Sequence, residues 1–96
     1  MTKEDHGMTR DEAATKEAIR SVFGGSAYDI CPHRHKGKID FYLRRGMTTR
    51  LDMWIEFGKR IVRSTRARAR DINLMPVEDG EDAALLVEVN GLDLAS

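Results

Sequence analysis

After Arg70 the chain has no lysine or arginine at all; it also has one cysteine (Cys31), two prolines and six aromatic residues in 96. Each shortage excludes something. A single cysteine rules out an internal disulfide framework, so a reduced, cytoplasmic protein is expected. The longest apolar run, Ala83 to Val87, has five residues. A membrane-spanning helix needs about 20, so no span is expected, and the opening Met-Thr-Lys-Glu-Asp-His-Gly is too polar for a signal region. Phosphate-binding loops precede their helix and carry Gly-Lys-Ser/Thr; here Gly24-Gly25-Ser26 follows a helical pattern instead. Cys31 has no evident base and oxyanion site to make it a nucleophile. These absences predict a non-enzymatic protein with no cofactor.

What is present is a strong charge polarity. From Arg34 to Arg70 twelve cations face three acids, a net +9, while Asp71 to Ser96 carries seven acids and no cation, a net −7. The first 33 residues contribute −2, so the whole chain is formally neutral. Such asymmetry points to polyanion binding or to charge-complementary partners. Hydrophobic content of 41% with 33% charged residues fits one folded domain rather than a disordered tail.

The hydrophobic pattern divides the chain into six elements. Thr9 and Glu12 form a helix-start signature, and Ile19, Val22 and Phe23 supply an apolar stripe that ends at Gly24-Gly25. Ala27 to Cys31 reads as a short strand, Pro32 to Gly37 as a loop, and Lys38 to Arg45 as a half-buried strand with Ile39, Phe41 and Leu43 inward. A second helix starts with the cap signature Thr49 to Asp52 and is expected to run to Arg68 or Arg70. Leu51, Trp54, Ile55, Gly58, Ile61, Val62 and Thr65 form its apolar face, widened by Met53 and Phe57. Gly58 within that face suggests close approach of a strand. Asp71 to Glu78 and Ala83 to Asn90 read as a hairpin around Asp79-Gly80, with Pro76 placing its first strand at an edge.

The predicted fold is therefore α+β, in the order αββαββ. A four-stranded antiparallel sheet of two hairpins would have both helices on one face, with Phe23, Phe41, Trp54 and Leu85 central. Residues 1–8 are expected to be a flexible leader, 9–91 the domain and 92–96 a tail.

Three surfaces are candidates for function. The first is the basic face of the second helix, where Lys59, Arg63, Arg66 and Arg70 fall in an i, i+4, i+7, i+11 row beside Arg60, joined by Arg44 from the sheet. Guanidinium groups suit phosphate oxygens, so nucleic acid or another polyanion is the expected ligand, unless the row is solvated or neutralised by the chain's own acids. The second is the acidic turn Glu78, Asp79, Glu81 and Asp82, suited to a basic protein partner. An inhibitor or adaptor of nucleic-acid-handling machinery, of prokaryotic or phage-like kind, would use such a surface. Opposite poles could also pair two copies into a homodimer. The third is Cys31-Pro32-His33-Arg34-His35. His33 and His35 are weak metal candidates because a structural zinc site needs four ligands, so no metal is expected there, although both could add pH-dependent positive charge.

Overall fold

The computed structural model describes residues 8–46, 50–78 and 82–94. The leader up to Gly7, Thr49 of the second cap signature, and Asp79 and Glu81 of the acidic turn lie outside these residues. Helix α1 spans Arg10–Phe23, strand β1 Ala27–His33, strand β2 Lys38–Arg44, helix α2 Leu51–Ser64, strand β3 Ile72–Pro76 and strand β4 Ala83–Val89. The strands form one antiparallel sheet in the order β1-β2-β4-β3. Both helices cover the face carrying Ile39, Phe41 and Leu43, giving the expected two-layer α+β sandwich. β3 is an edge strand, where the missing N–H of Pro76 costs nothing to a ladder.

Local chemistry explains the element ends. Thr9 caps α1 through its Oγ1, which accepts the N–H of Glu12 at 3.1 Å. The return half of the capping box is not made. Glu12 is instead fully buried, with Oε2 at 3.1 Å from both Lys16 Nζ and Arg34 Nη2, so it fastens the β1–β2 turn to α1. Gly37 takes φ 63° in that turn, and a Cβ there would meet the carbonyl oxygen of Leu92 at 2.7 Å. Leu92 N–H in turn donates to the Gly37 carbonyl at 2.9 Å.

Three expectations are corrected. β1 continues through Pro32 to His33, because Pro32 faces Ile39 and His33 faces Lys38 in register. α2 stops at Ser64 rather than near Arg68 or Arg70. Thr65 turns extended, donates Oγ1–H to the Ile61 carbonyl at 2.7 Å, and accepts the N–H of Ala67 at 3.0 Å. That local bond competes with helix continuation and brings Ala67 into the core. The expected tail is not peripheral either, since Leu92 and Leu94 are buried in the same core cluster.

The centre of the core is aromatic. Phe23 lies with its ring centroid 5.7 Å from Phe41, 5.3 Å from Phe57 and 5.0 Å from Trp54, at tilted angles. Phe57 is fully buried, whereas Trp54 and Leu85 are partly exposed at its margin.

Candidate interaction surface on the second helix

α2 begins after Arg50, whose backbone is extended and whose side chain makes no cap bond. Seven of its fourteen residues are apolar: Leu51, Met53, Trp54, Ile55, Phe57, Ile61 and Val62. At about 100° per residue they cover an arc of roughly 200°, about twice what a helix needs to face a core. The surplus is left in solvent. Phe57 and Ile61 are buried, but Leu51 is 75% exposed and Ile55 and Val62 are each 49% exposed. The helix therefore has two apolar stripes, one holding the core and one facing out.

Gly58 lies on the outward stripe. A Cβ built there has nothing within 4 Å, so the expected close approach of a strand does not occur. Glycine in a helix interior costs about 1 kcal/mol relative to alanine, and among the described residues no neighbour requires it. Its missing side chain helps form an open groove of about 570 Å³, lined by Trp54, Ile55, Gly58, Lys59, Val62 and Ala69 among others.

Beside this stripe runs a charged row, Asp52, Glu56, Lys59 and Arg63, at i, i+4, i+7 and i+11. Its first half is acidic and its second half basic. Asp52 pairs with Arg50 at 3.2 Å and Glu56 with Arg60 at 2.7 Å, all four side chains being substantially exposed. Among the described residues, Lys59 and Arg63 have no carboxylate within salt-bridge distance.

The predicted basic row is thus only partly assembled. Lys59, Arg60 and Arg63 lie on α2, with Arg60 engaged by Glu56. Arg66 lies past the helix end, 3.9 Å from Asp93, and Arg70 sits in the 3-10 turn Ala69–Asp71. Arg44 is on the uncovered face of the sheet, its guanidinium carbon 4.5 Å from the centroid of Tyr28, which stacks on Tyr42. Arg10, Arg63 and Arg66 instead surround a polar groove of about 370 Å³ with Asp11 and Asp93. This convergence crosses three segments, so spacing along the chain gave no sign of it.

At the acidic end, Glu78 and Asp82 are exposed. Neither is within salt-bridge distance of Lys59, Arg60, Arg63, Arg66 or Arg70, so these two do not neutralise the helix. Arg45 holds the base of this hairpin through the carbonyls of Val77 at 3.3 Å and Ala83 at 3.0 Å.

His33 and His35 are not brought together as a chelate. His33 Nε2 lies 2.9 Å from Asp40 Oδ2 on the uncovered sheet face, while His35 is exposed in the 3-10 turn Arg34–Lys36. Among the described residues no group of three His, Cys, Asp or Glu side chains is placed to hold a metal ion. Beside His33, Lys38 Nζ sits 2.9 Å from Glu88 Oε2 and 3.6 Å from Asp40 Oδ2. The hydrogen bond to Glu88 is the main reason that its pKa is raised, with the nearby charge of Asp40 adding to it and desolvation opposing it.

Among the described residues no helix is long and apolar enough to cross a membrane. Comparison with protein-family models, curated proteins and solved structures finds no match.

Proposed function

We propose that this chain is a small non-enzymatic protein-binding module of the cytoplasm, and that it docks through the outward stripe of α2. The exposure of Leu51, Ile55 and Val62 around an unfilled groove at Gly58 carries this reading. Apolar side chains aligned on one solvent-facing stripe of a helix suit a partner surface that removes them from water. The mixed charges alongside would set orientation and select partners. The test is a photo-activatable crosslinker placed at position 55 of the full chain in cells, with a second at Asn73 on the edge strand. A protein adduct of defined mass at 55 and not at 73 is the expected result. Equal labelling at both positions, or none at 55, removes the reading.

A second reading is supported by the groove lined by Arg10, Arg63 and Arg66, where three guanidinium groups gather beside the carboxylates of Asp11 and Asp93. Phosphates of a nucleic acid would bind there without sequence preference. Binding would weaken with salt at a log–log slope of about −0.9 per neutralised duplex phosphate. No binding to DNA or RNA at low salt removes it. The acidic side chains Glu78 and Asp82 remain available for a basic protein partner, which a charge-reversal pull-down against a candidate partner would test.

A further inference from the structure

We infer that the protein covering the outward stripe of α2 is a second copy of this chain, bound with the two α2 helices antiparallel. The inference rests on the docking reading above and names its partner. Leu51, Ile55, Gly58 and Val62 are spaced 4-3-4, the alternation of a two-helix seam. Turn a second α2 antiparallel against the first and one register satisfies every position. Leu51 falls opposite Val62 of the other copy, and Ile55 falls opposite Gly58. The large Ile55 side chain of each copy then enters the groove left over the other's Gly58, where a Cβ would have met nothing. A glycine without a role inside the chain thereby gains one between chains.

The charged row meets the same register independently. In the antiparallel arrangement Asp52 faces Arg63 of the other copy and Glu56 faces Lys59. Two-fold symmetry makes each pairing twice, giving four opposite-charge pairs beside the seam. A parallel two-fold pairing would instead place the two charged rows on opposite sides of the seam, out of reach of each other, and would set Ile55 against Ile55 and Gly58 against Gly58. Only one orientation therefore accommodates both the apolar seam and the charges. Each α2 of fourteen residues is about 21 Å long, so the contact falls near the small end of specific interfaces, below roughly 1,200 Å² in total. A reversible dimer follows, rather than an obligate one.

Sedimentation velocity of the full chain from about 1 µM to 1 mM, a range that brackets a weak interface of this size, tests the inference. The expected result is a monomer–dimer equilibrium that Ile55→Asp abolishes. Glu56→Lys and Lys59→Glu should each weaken it about tenfold or more, since each turns two attractive pairs repulsive. The double variant E56K/K59E should restore it, and an equimolar mixture of the two single variants should form a heterodimer tighter than either alone. Circular dichroism melts establish that each variant is folded. A wild type monomeric at the highest concentration overturns the inference, as does a dimer that ignores both Ile55→Asp and the charge exchange. A monomeric wild type that still crosslinks from position 55 to a different protein overturns self-pairing alone. One that crosslinks to nothing overturns the docking reading as well.

Discussion

The carboxylate of Asp11 accepts the backbone N–H of Asp93 at 2.8 Å across 82 residues of sequence. The same oxygen accepts the N–H of Arg66 at 3.2 Å. One nearly buried side chain in the first turn of α1 therefore ties down the segment leaving α2 and the segment that ends the fold. Thr9 adds a bond from Oγ1 to the Asp93 carbonyl. Hydrogen bonds to a charged group contribute about 1.5–3 kcal/mol each, and an unsatisfied buried donor costs as much.

Asp11→Ala should accordingly destabilise the protein by about 2–4 kcal/mol, the sum being less than additive because the two bonds share one acceptor. Urea unfolding followed by circular dichroism measures this. Asp11→Asn keeps an acceptor oxygen without the charge and should lose less. Equal losses for the two variants would show that the carboxylate's charge, and not its position as an acceptor, provides the stability.

Gly37→Ala should also be costly, for a backbone reason. A left-handed φ costs a non-glycine residue about 1–2 kcal/mol, and here the new Cβ would lie 2.7 Å from a backbone oxygen of Leu92. Backbone cannot rotate away as a side-chain tip can. The expected loss is about 2 kcal/mol or more, read as a lowered urea midpoint with unchanged slope. A loss below about 1 kcal/mol would mean that the turn and the Leu92 segment separate readily.

The polar network on the uncovered sheet face predicts an alkaline limit to stability. Lys38 has a folded-state pKa raised chiefly by its hydrogen bond to Glu88. A group with a raised folded pKa contributes stability that is fully present below its unfolded value, about 10.4 for lysine, and lost as pH rises through the folded value. Melting temperature should therefore fall above about pH 10 in the wild type. In Lys38→Met that part of the decline should be absent, and identical alkaline profiles would assign the decline to other groups.

Much of this architecture was legible from local pattern. Alternation at Ile39, Phe41 and Leu43 gave β2 its inward face, the Asp79-Gly80 dipeptide marked the second hairpin, and Pro76 marked the edge. What escaped notice depended on contacts between distant segments. Ala67 and Leu92 are ordinary residues in sequence, and only the assembled core shows that the chain must bend back to bury them. The end of α2 therefore came earlier than the arginine spacing suggested, which separates Arg66 and Arg70 from Lys59 and Arg63. The apolar stripe of α2 was visible residue by residue, but its partition between core and solvent was not. Its arc alone was the available signal: a helix packed on one sheet cannot bury about 200° of its surface.

Gly58 offers the sharpest separation of the monomer's needs from those of an assembly. Among the described residues nothing would obstruct a methyl group at this position, and alanine is the better helix former by about 1 kcal/mol. Gly58→Ala, measured at a concentration where the chain is monomeric, should therefore raise the melting temperature by roughly 4–8 °C for a domain of this size. The same substitution partly fills the groove that receives Ile55 of the other copy, so the dimer should weaken as the monomer strengthens. Thermal melts at low concentration and sedimentation at high concentration read the two effects separately. Opposite signs identify the glycine as a feature of the interface. A monomer destabilised by alanine would place its role inside the fold instead, and the account of an idle glycine would be wrong.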